Sequence, residues 1–255
     1  YETILSKHVS AIYPKMAQLY ILLVYYMLRQ SMLGVKQKRA FQTILSGLKF
    51  SFYGGKPIRF LTLTTSLICS ESIGYADGSK NESCLNSDFQ ILRKRICRYS
   101  PYRLYREGYL SKNQMAQLYS RDSYFKKFNF DYFKVETNEG NGVLHILYRG
   151  SYLPYNFLVD NWTDIHNSFD VHIMNVDLSD CKSASNYVVS QYVGGQGCSY
   201  VRSSQSHSWV FRGFKSLWYR MRNFYPDNCF SLWDNILRSR ASLYFFPQST
   251  LSDFG

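Results

Sequence analysis

The chain carries 255 residues, 45% of them hydrophobic, enough to bury one large core and to exclude wholesale disorder. Its 30 Lys and Arg against 18 Asp and Glu leave a formal charge of +12 and a pI near 9.4, which points to a polyanionic partner, nucleic acid or an anionic membrane surface. Six scattered cysteines (Cys69, Cys84, Cys97, Cys181, Cys198, Cys229) form no C-x-x-C pair, which excludes a zinc ribbon and a dense disulfide framework.

Free thiols in a reducing, intracellular compartment, the cytoplasm of a prokaryote or an organelle, are therefore the expectation. Because the chain opens on Tyr1 and not on Met, residues ahead of it are expected as well. The periodicity predicts helix through residues 1–50, punctuated by Gly34 and Gly47. Within it, Leu19–Leu28 is the most apolar run, about half the ~20 residues a bilayer span needs. It reads as a buried helix ahead of a membrane-surface one, so no clear membrane partner is expected. Ile58–Ser66 (IRFLTLTTS) alternates and is rich in β-branched residues, as a strand requires. The Ser-, Asn- and Gly-rich stretch 70–90 reads as loop.

A basic run comes next, in which Arg93, Lys94, Arg95, Arg98, Arg103 and Arg106 interleave with Tyr99, Tyr102 and Tyr105. Cations that track phosphates and rings that stack on bases suit single-stranded nucleic acid. Residues 110–128 are expected to be mostly helix. Val135–Gly150 (VETNEGNGVLHILYRG) is two β-rich runs split by a Gly- and Asn-containing cluster, the pattern of a β-hairpin. Helices over 154–167 and 183–193 flank a further strand at Phe169–Leu178, and Gly194-Gly195 stops the second helix. The tail carries Trp209, Trp218 and Trp233 with Arg202, Arg212, Lys215, Arg220 and Arg222, part packing down and part facing a polyanion. This order of elements gives an α+β fold with a mainly antiparallel sheet and flanking helices, close to the split βαβ arrangement. The chain divides on this reading into a helical segment 1–50, a domain 51–200 and a basic extension 201–255.

Chemistry is expected at the hairpin. Side chains two apart share a strand face, so Val143, His145 and Leu147 point one way and Leu144, Ile146 and Tyr148 the other. Glu136 lies about as far before the turn as His145 lies after it, which would make them cross-strand neighbours able to hold one metal ion. His172 could join them if its strand lies adjacent. No G-x-S-x-G elbow and no Walker-type loop is present, and His8, His166 and His207 have no supporting pattern.

Three pieces in order carry a resemblance. The strand Phe60–Thr64, the Glu136 and Gly142–Leu147 hairpin, and the segment Tyr187–Gln196 (YVVSQYVGGQ) together resemble the HUH-type rolling-circle replication initiators of archaeal and phage-like plasmids. The resemblance spans about residues 58–196. It implies an HUH endonuclease fold of the ferredoxin- or RRM-like kind. The implied activity is metal-dependent nicking and rejoining of single-stranded or hairpin origin DNA, with host replication proteins as further partners. Tyr187 would be the nucleophile, keeping the broken strand as a tyrosyl phosphate, and Tyr192 the second tyrosine of the motif. Glu136, His145 and His172 would hold Mg²⁺ or Mn²⁺. The pattern departs at Leu147, where the family carries its second His, and at Ser190, where a Lys often stands. Leu147 favours the alternative: a catalytically degenerate module of the same fold that binds single-stranded DNA or RNA.

Overall fold

Five strands form one antiparallel sheet of order β4-β1-β3-β2-β5 in the computed structural model of the chain. Residues 35–65, 78–137, 142–192 and 201–246 are described, without the side chains of 35–37, 78–83, 191–192 and 201–202. Backbone contacts divide the chain into Tyr1–Ala40 and Phe41–Gly255. Among the described residues, only the opening of helix α1 (Val35–Tyr53) belongs to the first unit; the sheet and every later element belong to the second. The Leu19–Leu28 run lies outside the described residues.

After α1 come β1 (Ile58–Thr64) and α2 (Gly78–Ile96). Two short helices, α3 (Pro101–Arg106) and α4 (Lys112–Leu118), lead through a 3₁₀ turn at Arg121–Ser123 to the hairpin β2 (Phe130–Thr137) and β3 (Val143–Gly150). Beyond the hairpin lie α5 (Tyr155–His166), β4 (Val171–Val176), α6 (Cys181–Tyr192), β5 (Val201–Gln205), α7 (Phe214–Phe224) and α8 (Cys229–Phe245). Local chemistry sets several ends. Ser100 caps α3, with Pro101 in its first turn, and Ser111 with Gln114 forms a capping box on α4. Asn167 ends α5 in the left-handed region at φ 56°.

The α+β class and antiparallel sheet agree with the sequence reading, but two local expectations change. Residues 78–90 are helix rather than loop, because Leu85, Phe89, Leu92 and Ile96 recur at helical spacing and are all buried. Burial of that narrow stripe overrides the weak helix propensity of the Ser and Asn around it. Only Lys112–Leu118 is α-helical within 110–128. The fifth strand and the two tail helices had no clear signature.

Strand parity divides the sheet into two faces. Leu61, Leu63, Leu144, Ile146 and Tyr148 meet α2 and α5 through Leu85, Phe89, Phe157, Leu158 and Trp162 in one continuous core. The opposite face presents Phe60, Phe133, Val135, His145, Leu147 and Arg149. It is covered by α6, by α1 and by the tail. Tail and α1 are held together by Asp234 of α8, which accepts from Lys49 Nζ and Tyr53 Oη at 2.6 Å each, and by Trp233 Nε1 donating to Ser46 Oγ at 3.0 Å.

Gly47 makes this packing possible. A Cβ there would fall 2.1 Å from Nε1 of Trp209, which is fully buried. Gly47→Ala would stabilise an open helix by about 1 kcal/mol on propensity alone. Here it is expected to destabilise by roughly 1–3 kcal/mol through overpacking, read as a lower urea midpoint at unchanged m-value.

Candidate functional site

Register decides what the hairpin can do. β2 pairs with β3 so that Val135 lies opposite His145 and Glu136 opposite Leu144. Directly opposed residues share a face and neighbours in sequence do not. Glu136 and His145 therefore lie on opposite faces of the sheet, which corrects the expected shared ligand pair. Glu136 is buried on the Leu144 face, where Lys134 Nζ donates to its Oε2 at 3.4 Å.

His145 sits on the central strand with Thr62 of β1 opposite it, and Thr62 in turn lies opposite His172 of β4. His172 thus shares the His145 face but is one strand removed, exposed on the sheet's edge strand. Around His145 the face is apolar. Phe60 stacks on it at 6.0 Å between ring centroids, and Val135 and Leu147 are buried beside it. Neither ring nitrogen has a hydrogen-bond partner among the described residues. Burial alone pushes the imidazole pKa down to about 4, so the ring is neutral at physiological pH.

Tyr187 does come to this place. Helix α6 lays its ring edge-on against His145 at 5.7 Å and against Phe60 at 5.6 Å, with the residue 47% exposed. Tyr192 is the last residue of α6, five positions on and about 140° round the helix; its side chain lies outside the described residues. The donor set does not fit Mg²⁺ or Mn²⁺, which take mainly oxygen ligands. The imidazole is hemmed in by Phe60, Val135 and Leu147, and no carboxylate among the described residues shares its position. Among the described residues no group of three or more His, Cys, Asp and Glu gathers as a metal site.

The basic residues separate into two regions and several engagements. Arg95 pairs with Asp164 at 2.6 Å, and Arg103 pairs with Glu107 at 2.7 Å while lying over the Tyr99 ring at 4.1 Å. Arg93 is half-buried, its guanidinium 5.9 Å from the centre of the Tyr132 ring. Lys94, Arg98 and Arg106 are exposed and form no ion pair among the described residues, and so are Arg212, Lys215, Arg220 and Arg222 around α7. Arg202 lies on β5 opposite Glu136, with its side chain undescribed. The first region stands beside the Leu144-face core, into which Leu104 of α3 inserts; the second rides on the tail helices over the other face. They are two surfaces.

His166, which no sequence pattern singled out, stands in a polar chain. Its Nδ1 is 2.7 Å from Asp88 Oδ2 and its Nε2 2.8 Å from Thr65 Oγ1. With the carboxylate accepting from Nδ1–H, Nε2 is left to accept the Thr65 hydroxyl, the donor order of a hydroxyl-activating relay. Thr65 and the His166 ring are both buried, and Trp162 Nε1 and Ser168 Oγ donate to the adjacent Thr64 carbonyl. The chain fastens the end of β1 to α2 and α5. Three residues so far apart in sequence leave no local signal.

The buried imidazole has a pH signature. Unfolded, His145 titrates near 6.5, and folded at about 4, so the unfolded chain takes up the proton first as pH falls. Its contribution to stability is whole above about 6.5 and is lost progressively toward pH 4, by at most roughly 3 kcal/mol. His145→Leu is expected to flatten that loss, so urea midpoints of variant and parent diverge below pH 6.5; parallel curves would mean that the ring is partnered. Compared with protein-family models, with curated proteins and with solved structures, the chain gives no match, so the resemblance to the rolling-circle initiators rests on the motif residues alone.

Proposed function

We propose that this chain is a nucleic-acid-binding module that holds an unpaired DNA or RNA strand without metal-dependent cleavage. The observation that carries the reading is the unpaired surface charge. Lys94, Arg98 and Arg106 on one side, and Arg212, Lys215, Arg220 and Arg222 on the other, stand exposed and form no ion pair among the described residues, in a chain of charge +12. Surface cations left unneutralised repel one another, and a polyphosphate relieves that repulsion while releasing its own counterions. The strand order β4-β1-β3-β2, with α2 and α5 packed on one face, supports a split βαβ, ferredoxin-like core. An RRM-type use of the sheet face is disfavoured, because Phe60 and Phe133 are buried.

Binding of a labelled oligonucleotide, followed by fluorescence anisotropy, is expected to weaken linearly in log–log form with salt, by about 0.7 in slope for each phosphate contacted. Replacing Arg98 and Arg106 by Gln should shallow that slope by about one to two contacts' worth while leaving thermal stability within about 0.5 kcal/mol. No binding at low salt would sink the reading.

One observation favours a second reading, strand transfer through Tyr187 as the initiator resemblance implies: the Tyr187 ring touches His145 on the central strand and remains half-exposed. In that case wild type, incubated with end-labelled single-stranded DNA and Mn²⁺, would give a band resistant to boiling and SDS that Tyr187→Phe and EDTA both abolish. The expected outcome under the first reading is tight, reversible binding with no such band.

A further inference from the structure

Three aromatic rings stand together on the surface where α3 meets the 3₁₀ turn. Phe125 is 73% exposed, and Tyr102 and Tyr105 are each 37% exposed. Phe125 lies 4.9 Å from Tyr102 between ring centroids, and Tyr102 lies 6.3 Å from Tyr105. Exposed rings are ordinary one at a time; three in a row, with Tyr102 touching the other two, leave an apolar patch that water solvates poorly.

The backbone beneath them is fixed. Tyr102 N–H donates to the Tyr124 carbonyl and Phe128 N–H to the Tyr99 carbonyl, each at 2.9 Å, so two hydrogen bonds hold 99–102 against 124–128. Buried Leu104 pins α3 into the core. Pro101 and Leu104 take the inward side of α3, and Arg103 is drawn along the surface onto Tyr99 and Glu107, while Tyr102, Tyr105 and Arg106 stand exposed. A surface ordered before its ligand arrives loses little entropy on binding.

Charge identifies the occupant. Residues 98–127 hold seven Lys and Arg against two acidic residues, and Glu107 is already engaged by Arg103 and by Tyr99 Oη. Arg106, Arg121, Lys126 and Lys127 are exposed and form no ion pair among the described residues. Arg106 is one helical turn from Tyr102, and Lys126 and Lys127 come directly after Phe125. Rings flanked by cations suit a polymer that alternates flat apolar faces with phosphates. Duplex bases are already stacked on one another, so an unpaired strand fits and a duplex does not.

We infer that Phe125, Tyr102 and Tyr105 form a stacking platform for the bases of an unpaired polynucleotide, with Arg106, Arg121, Lys126 and Lys127 on its phosphates. The inference rests on the nucleic-acid-binding reading and adds a place and a mode to it. The sequence pointed to Tyr99 in this role, but Tyr99 packs on Phe157 at 4.7 Å and carries Arg103. Phe125, outside the basic run, takes its place. Stacking uses the faces of the bases and does not depend on the ribose 2′ position, so DNA and RNA strands should bind alike.

The test uses the full chain, a labelled oligothymidylate, its uridylate counterpart, a duplex and a fully abasic strand of equal length. Wild type is expected to bind oligothymidylate about ten-fold or more tighter than the abasic strand, and oligouridylate within a few-fold of oligothymidylate. Phe125→Ala should lose that preference, binding both strands at the abasic level, with an unchanged salt slope because no cation is removed. Equal wild-type affinity for the base-bearing and abasic strands would overturn the platform while leaving the binding reading in place; the abasic comparison needs no variant to fold. Oligothymidylate affinity unchanged in both Phe125→Ala and Tyr102→Ala would overturn it as well. Absence of any oligonucleotide binding, with vesicles containing phosphatidylserine bound by wild type and not by Phe125→Ala, would assign the rings to a lipid surface and overturn both proposals.

Discussion

The guanidinium of Arg149 is the fastening on which one whole side of this protein depends. From β3 it donates to Asp131 Oδ2 of β2 at 2.8 Å, to Ser51 Oγ of α1 at 3.0 Å, and to the carbonyls of Ser208 and Trp209. Ser208 Oγ closes the ring by donating to Asp131. The rings of Phe50 and Phe245 lie 5.7 and 5.0 Å from the same guanidinium. Strands, first helix, tail loop and last helix thus meet at one buried charge. A buried ion pair stabilises little by itself but is very costly to break, by about 3–5 kcal/mol, since one partner is left charged and dry. Such a junction specifies one arrangement of the layers more than it deepens the free-energy well.

Much of the sheet could be read from the chain, because alternation is a local property. Ile58–Thr64, the hairpin and Val171–Val176 each show it, and each is a strand. Helix α2 was hidden because its apolar residues are few and its polar ones favour turns in isolation; only the sheet supplies the reason for it to coil. Strand β5 (VRSSQ) is held by pairing to β2 and carries no pattern of its own. The site was legible as far as the meeting of His145 with Tyr187, and no further. The expected Glu136–His145 pair fails by a single residue of register, since Thr137 pairs with Val143 and every later partner is set by that one. Composition announces a turn but does not fix its length, and a shift of one residue sends each side chain to the other face.

That one-residue difference has chemical weight. It leaves an imidazole in an apolar setting with a tyrosine against its edge, and it buries Glu136 beside Lys134 on the far side. The first arrangement brings no carboxylate of the described residues to the imidazole. The second neutralises a carboxylate in the core. Positive charge and exposed rings lie instead on helices and turns outside the sheet, where a polymer can reach them. The sheet is the scaffold, and its periphery carries the surface on which the proposed nucleic-acid contact rests.

The clamp between α1 and α8 governs the order in which the chain can fold. Lys49 and Asp234 are 185 residues apart, and Ser46 and Trp233 are 187 apart. During synthesis strands β1 to β4 and the helices on the Leu144 face can assemble once Val176 has emerged, and β5 joins later. Phe50 of α1, which packs on Tyr244 and Phe245, lacks its full cover until the last helix is complete. The opposite face is therefore the late half of folding, closed by contacts of the longest sequence separation and the greatest loop-closure cost. Until then its apolar residues are open to wrong partners, and a ribosome stalled late in the message would expose that half of the sheet.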